Sequence, residues 1–160
     1  MKQRNEPEIL HWAASYCSMA ERCIQDVRMK IISAGVTPDM EERIITRLLE
    51  EKFIDEMRYC RCFVHDKFRF NHWGRIKIDY ELRQKNIDSS LISEVISQID
   101  EEDYEMVLFA MLQDKKRTVK GQTEQDQFNK LYRFAMSRGF ESHLTVRQLK
   151  KLFNQRFDVD

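Results

Sequence analysis

The side chains best suited to covalent or metal chemistry in this chain are four cysteines with two histidines near them in the sequence: Cys17, Cys23, Cys60, Cys62, His11 and His65. Zinc and redox sites commonly space cysteines as C-x-x-C, and these cysteines lack that spacing. Free cysteine is among the most buried residue types, which favours packing as a small apolar side chain. We therefore expect no catalytic residue, no metal site and no cofactor. A thiol or metal enzyme is the alternative, and it predicts stoichiometric zinc in the purified protein.

Recognition of phosphates and bases is the second chemistry that the residues indicate. Residues 57–87 carry eight Lys and Arg residues against three acidic ones, with aromatic side chains interleaved. Because bases stack on rings while cations meet phosphates, this combination is typical of a surface that binds single-stranded nucleic acid. Residues 147–156 add an amphipathic helix with a basic face opposite an apolar stripe. The candidate partner-binding or DNA-binding residues are Arg58, Arg61, Lys67, Arg69, Arg75, Lys77, Arg83, Lys85, Arg147, Lys150 and Lys151, and Arg156 extends the second group.

Each of these residues also has a plainer interpretation. Trp73 and its aromatic neighbours at helical spacing pack a core more often than they bind a partner, and the arginines could line a solvated helix face. Asp55 is interpreted as a helix cap and not as an acid or a base.

The charges balance in number, 27 basic against 27 acidic residues, but they are not mixed along the chain. Residues 88–114 contain eight acidic residues and no Lys or Arg, whereas residues 115–156 contain eleven basic and three acidic residues. Two interpretations stay open: opposite blocks neutralise each other within the fold, or they face a partner. The acidic run 100–105 would repel phosphate and suits a basic patch on a protein partner, or it complements the dipole at a helix N-terminus.

The elements that position these side chains are predicted to be helices. Only four Gly and two Pro occur in 160 residues, too few for the many turns of an all-β sandwich or barrel. Neither glycine-rich phosphate-binding pattern, G-x-G-x-x-G or G-x-x-x-x-G-K-[ST], is present. The longest apolar run, residues 106–112, is too short to cross a bilayer, and no signal-type segment follows the first residues. We therefore expect a cytoplasmic protein with no membrane partner.

Three segments align without gaps on a residue that reverses the chain: Val27-x3-Ile31-x3-Gly35, Ile78-x3-Leu82-x3-Asn86 and Leu131-x3-Ala135-x3-Gly139. Apolar residues eight and four positions before the reversal share one helical face, and the Gly or Asn supplies the left-handed residue of a helix C-cap. Apolar residues recur five, ten and thirteen positions after each reversal. Each segment therefore predicts a helix, a tight turn and a second helix.

The reversal residues lie 51 and 53 positions apart, which leaves room for a third helix ahead of each pair, at about 8–17, 55–66 and 102–115. Thr37-Pro38, Asp55, and Asp88 or Ser89 are helix start signals, and 118–123 is expected to be a loop. We predict an all-α fold of three tandem three-helix, helix-turn-helix-like repeats in an elongated, curved array. The repeats span about residues 8–51, 53–100 and 101–156.

The centre of the chain resembles a known family. The stretch Phe53-Ile54-Asp55-Glu56-Met57-Arg58-Tyr59-Cys60-Arg61-Cys62-Phe63-Val64, followed by Trp73-Gly74-Arg75-Ile76-Lys77 and Tyr80-Glu81-Leu82-Arg83-Gln84-Lys85-Asn86-Ile87, is similar to the central signature of RecX, the regulator of the RecA recombinase. The likeness continues through Ser137-Arg138-Gly139-Phe140 and covers roughly residues 10–153.

The resemblance implies three tandem three-helix units in a crescent. It also implies a protein that is not an enzyme, lodges in the groove of a RecA filament on single-stranded DNA, and restrains strand exchange, ATP turnover and coprotease activity. Asn86 stands where the family usually has Gly, and Cys60 and Cys62 stand where it usually has small residues, which favours packing for both cysteines. The neutral charge is less basic than that of many relatives, so direct binding of single-stranded or duplex DNA is less expected than binding of the filament.

Two further functions stay open. The first is a sequence-independent nucleic-acid-binding helical repeat protein that acts without RecA, which the two basic blocks and the helix-turn-helix pattern favour. A steep loss of affinity with salt would distinguish direct binding to phosphates from binding to a protein. The second is a generic helical-repeat scaffold, which the absence of any effect on RecA would favour.

Overall fold

The computed structural model of the protein describes residues 4–154, and this part of the chain is entirely helical. It contains a 3-10 helix, Ile32–Ala34, and nine α-helices: α1 (Glu6–Met19), α2 (Ile24–Ile31), α3 (Pro38–Glu50), α4 (Glu56–Arg69), α5 (Arg75–Gln84), α6 (Ser89–Ser97), α7 (Glu101–Lys116), α8 (Glu124–Ser137) and α9 (Ser142–Asn154). The all-α prediction is confirmed, and α1, α4 and α7 are the predicted third helices, with ends within three residues of those expected. None of these helices is long and apolar enough to span a bilayer.

The three predicted reversal residues are left-handed. Gly35, Asn86 and Gly139 have φ angles of 75°, 58° and 87°. In each case the two apolar residues eight and four positions earlier are buried, as the repeat pattern predicted. Asn86 tolerates this conformation better than most side chains, so the replacement of Gly keeps the turn.

Short polar side chains begin the helices at the predicted places. The Thr37 hydroxyl accepts a hydrogen bond from the Met40 backbone N–H at 3.3 Å and so caps α3. The Asp55 carboxylate accepts from the Arg58 N–H at 3.0 Å at the start of α4. Both side chains satisfy amides that a helix leaves unpaired in its first turn. Asp55 is therefore a cap, as interpreted from the sequence.

The buried stripe of α6 differs from the predicted one. In α3 and α9 the expected positions Ile45, Leu48, Leu149 and Leu152 are buried. In α6, however, Ile92 and Val95 are buried, while Leu91 and Ile96 are only half-buried, as is Ile99 just beyond the helix. This short helix carries apolar residues on two adjacent faces, so the pattern alone did not determine which face turns inward.

The chain divides into two compact units, and three helices, α4, α5 and α6, contribute residues to both. The first unit comprises the chain up to Phe63 together with Leu82–Ile92, and its core is built from α1, α2 and α3 around Ile9, Ala13, Val27, Ile44 and Leu48. The second comprises Val64–Glu81 and the chain from Ser93 onward. In it α7, α8 and α9 pack on one another. The bounds of the three predicted repeats stay a prediction.

Candidate functional site

Two of the predicted contact residues in the first unit are already bound to carboxylates. The Arg58 Nε lies 2.6 Å from Oε1 of Glu21, and its Nη2 donates to the Lys52 carbonyl at 3.1 Å. The Lys85 Nζ lies 2.8 Å from Oδ1 of Asp26. Burial alone would raise the pKa of Asp26, but hydrogen bonds from Lys85 and from Cys23 outweigh it and hold the pKa below its usual value. Both cations therefore stabilise the unit that contains them.

In the second unit the acidic run at the start of α7 meets three of the predicted basic residues. Asp103 pairs with Arg69 of α4, at 3.2 Å between Oδ1 and Nη1. Glu101 pairs with Arg75 of α5, and Glu105 pairs with Arg147 of α9 at 2.9 Å. These contacts support the interpretation that opposite charge blocks neutralise each other within the fold. They also use the same carboxylates that the sequence offered as a surface for a basic partner.

Arg75 is the centre of a polar cluster. Its guanidinium lies 3.7 Å from the centroid of the Tyr104 ring, and its Nη1 lies 2.7 Å from Oε2 of Glu141. The fully buried Tyr104 hydroxyl accepts a hydrogen bond from the Arg75 backbone N–H at 2.9 Å and donates one to Glu141. Burial, and after it the hydrogen bond to Glu141, raises the pKa of Tyr104. The Tyr104 ring also stacks on Phe68, with centroids 5.6 Å apart.

Beside this cluster two backbone segments, one at Gly74 and one at Gly139, come into direct contact with no side chain between them. The Gly74 N–H donates to the Arg138 carbonyl at 2.7 Å, and the Ile76 N–H donates to the Gly139 carbonyl at 3.0 Å. A Cβ added to Gly74 would lie 2.6 Å from the Phe140 nitrogen, closer than real Cβ atoms come to other atoms. The sequence motifs Trp73-Gly74-Arg75 and Arg138-Gly139-Phe140 therefore join at one place, where only glycine allows the approach.

Trp73 lies close to two of the predicted contact residues, Lys67 and Lys77. Its half-buried ring has two ammonium groups close to it, with the Lys67 Nζ at 4.8 Å and the Lys77 Nζ at 4.6 Å from the ring centroid. The Phe70 side chain nearby in the sequence is 74% exposed, and the His65 ring lies edge-on to it. The structure thus brings Lys67, Trp73 and Lys77 together as an aromatic ring with two cations close to it.

The other predicted contact residues are not gathered into this site. Arg61 on α4 and Arg83 on α5 are exposed, as are Lys150 and Lys151 on α9. Arg156 lies outside the described residues. Whether any of the predicted cations contacts a partner stays a prediction.

Six cations on α7, α8 and the loop between them were not among the predicted contact residues: Lys115, Lys116, Arg117, Lys120, Lys130 and Arg133. The signal for them was present, because they contribute to the excess of basic residues in 115–156. The residues predicted from this block were instead those nearer its end, Arg147, Lys150 and Lys151. The predicted loop between α7 and α8 is confirmed at 117–123.

Three of the four cysteines are buried, as predicted, but Cys62 is exposed and the prediction was wrong for it. Burial raises the pKa of Cys60 to about 12 and that of Cys23 to about 11. It also raises the pKa of Cys17. Since the thiolate is the reactive form, these three thiols are poor nucleophiles and poor metal ligands. Among residues 4–154, no three His, Cys, Asp or Glu side chains are grouped so as to hold a metal ion.

A thiol titration checks this arrangement. With an aromatic disulfide reagent at pH 8, we expect one thiol of the folded protein to react quickly and the other three to react at the rate of unfolding. Cys62→Ser should remove the fast phase, whereas Cys60→Ser should leave it unchanged. Two or more fast thiols in the native protein would contradict the burial described above.

Comparisons with known proteins indicate the same family along most of the chain. The family model described as the second three-helix domain of RecX matches residues 55–96. Regulatory protein RecX of Clostridium botulinum (strain Eklund 17B / Type B) is 32% identical over 133 residues, which cover 81% of this chain and 61% of that protein. Its counterpart in Clostridium tetani (strain Massachusetts / E88) is 34% identical over 123 residues, which cover 75% of this chain and 54% of that protein. The chain thus spans less than two thirds of these relatives.

A further relative is similar in length. Regulatory protein RecX of Prosthecochloris aestuarii (strain DSM 271 / SK 413) is 28% identical over 148 residues, which cover 92% of this chain and 95% of that protein. Two crystal structures share the fold. Regulatory protein RecX superposes with a TM-score of 0.79 at 22% identity, covering 87% of this chain and 68% of that one. RecX from Lactobacillus salivarius superposes with a TM-score of 0.80 at 17% identity, and the match covers 92% of this chain and 96% of that one.

Proposed function

Since this chain belongs to the RecX family of regulatory proteins, we propose that it binds the RecA filament on single-stranded DNA and modulates, mostly by inhibition, strand exchange, ATP hydrolysis and coprotease activity. The observation that carries the proposal is the match of residues 55–96 to a RecX domain, together with the helix, turn and helix that these residues form. Its partner acts on DNA, so we place the protein in the cytoplasm.

We propose that the protein acts by binding and not by catalysis. Its buried thiols have raised pKa values, and the charged cluster around Arg75 and Tyr104 is occupied by contacts within the second unit. A binding protein can shift a filament between conformations only as far as its contact free energy differs between them. Contacts to successive subunits of a filament would add avidity to each single contact.

Within the predicted set, we propose Lys67, Trp73 and Lys77 as the contact surface. The ammonium groups of Lys67 and Lys77 lie within 5 Å of the Trp73 ring centroid, at 4.8 Å and 4.6 Å, so the three side chains present positive charge and an aromatic ring together. Arg58 and Arg75 hold carboxylates of their own unit. Substituting those two arginines would change folding together with binding.

Hydrolysis of ATP by RecA on single-stranded DNA tests the proposal. Added at a stoichiometric ratio to RecA, the protein should lower the hydrolysis rate severalfold. The double variant Lys67→Gln with Lys77→Gln should need roughly tenfold more protein for the same effect, because two cationic contacts are lost. Arg43→Gln with Arg47→Gln, which removes the same charge from α3, is the matched control and should act like the unchanged protein. No effect of the unchanged protein at stoichiometric excess would overturn the proposal.

A further inference from the structure

A cavity of about 540 Å³ lies in the second unit, between the loop that follows α7 and the first turns of α8. Three of its lining residues are cations, Lys120, Lys130 and Arg133, and one, Asp126, is an acid. The amide side chains of Gln122 and Asn129 complete its polar wall. The cavity therefore carries a formal charge of +2 from its lining.

The three cations make no ion pair with any of residues 4–154. The Lys130 ammonium donates to the Lys120 carbonyl. The Arg133 Nε donates to the Asn129 carbonyl at 3.4 Å, and its two terminal amino groups make no hydrogen bond within the described chain. Some cations of the basic blocks behave differently, since Arg58, Arg69 and Arg75 each hold a carboxylate. A net positive charge thus remains at this loop, because Asp126 offsets only one of the three cations.

Two further cations come shortly before the loop residues that line the cavity. Lys116 and Arg117 stand at the end of α7, and the Lys116 ammonium lies 4.4 Å from the centroid of the Phe153 ring. Arg117 is exposed. A single phosphate in the cavity would leave these charges unused, whereas a chain of phosphates would reach both. The charge distribution therefore fits a polyanion better than a small anion.

We propose that the Lys120, Lys130 and Arg133 cavity binds the phosphodiester backbone of a nucleic acid strand. No aromatic side chain lines the cavity, so bases do not stack there and binding is independent of sequence. This site lies apart from the Trp73 surface in the sequence and needs no RecA. It goes beyond the proposed function, because it gives the protein a ligand of its own.

Binding of a fluorescent oligo(dT) of 20 nucleotides, measured against salt concentration, tests the site. The triple variant Lys120→Gln, Lys130→Gln, Arg133→Gln should bind roughly 10- to 100-fold more weakly at 0.1 M salt, and the slope of log affinity against log salt should fall by about 2, because each lost phosphate contact releases about 0.7 fewer counterions on a single strand. Millimolar inorganic phosphate should compete only weakly with the oligonucleotide.

Arg28→Gln, Arg43→Gln, Arg47→Gln is the matched control. It removes the same three charges, but each of these arginines pairs with a glutamate in the first unit. Its affinity and salt slope should match those of the unchanged protein, and helicity by circular dichroism should be the same in all three proteins. Absence of oligonucleotide binding, equal weakening in both variants, or full displacement by inorganic phosphate would each overturn the site. The RecA assay described above is independent of this result, so either proposal can fail alone.

Discussion

Gly139→Ala is expected to lower the free energy of unfolding by about 3 kcal/mol, whereas Gly35→Ala should lower it by about 1 kcal/mol. The two glycines follow helices of the same apolar pattern, and both are left-handed, with φ of 75° at Gly35 and 87° at Gly139. An alanine pays the left-handed penalty at either position. At Gly139 the new Cβ would also lie 2.9 Å from the Cα of Lys77 and closer still to its nitrogen. Backbone atoms cannot move aside as a flexible side chain can.

Urea unfolding followed by circular dichroism measures both losses. Trp73 fluorescence, recorded in a Trp12→Phe background, reports on the second unit, which contains both Trp73 and Gly139. Gly74→Ala should resemble Gly139→Ala, because its Cβ would meet the same backbone crossing from the other side. Equal losses at Gly35 and Gly139 would show that the crossing does not constrain the fold.

Arg75→Gln should cost about 2–3 kcal/mol of unfolding free energy, and Lys77→Gln less than about 1 kcal/mol. Both residues are on α5, and each substitution removes one positive charge. Arg75, whose side chain is 21% exposed, holds Glu141 and Glu101 and covers the Tyr104 ring. Without it, two carboxylates stand close together with no cation between them. The Lys77 ammonium lies over the Trp73 ring and makes no ion pair with the described residues.

Thermal and urea unfolding of the two single variants checks this difference. A similar stability for both would mean that the Arg75 cluster contributes little to the fold. The result also decides which residue can be used to test partner binding. Charge reversal at Arg75 would mix loss of folding with loss of contact, whereas a change at Lys77 isolates the contact.

The turns of this fold could be predicted from the sequence because their determinants are local. A left-handed residue and two apolar residues one and two turns earlier fix the end of a helix within nine positions. The same local logic should have separated Cys60 from Cys62, because residues two apart on a helix face different sides. The family usually has small residues at positions 60 and 62, and this resemblance favoured burial of both cysteines. The helical period correctly indicates that Cys62 faces a different side from Cys60.

The ion pairs and the buried polar contacts could not be predicted, because they join distant positions. Arg75 and Glu141 are 66 residues apart, and no spacing rule connects them. Gln148 is buried at the position of α9 that corresponds to Val95 in α6. It donates to Glu105 at 3.0 Å, 43 residues away. A polar residue on an apolar stripe has a partner that only the packed helices reveal.

The hydrogen bonds from Gly74 and Ile76 to the end of α8 give the second unit a mechanical property. The first amides of a helix and the last carbonyls of another usually face solvent, but here they satisfy each other. The end of α8 and the start of α5 are thus joined by two backbone hydrogen bonds. A ligand that pushes α8 along its axis must carry the start of α5 with it, or break both bonds. Lys130 and Arg133 are on α8 and Lys77 is on α5, so these cations belong to the two helices that the hydrogen bonds join.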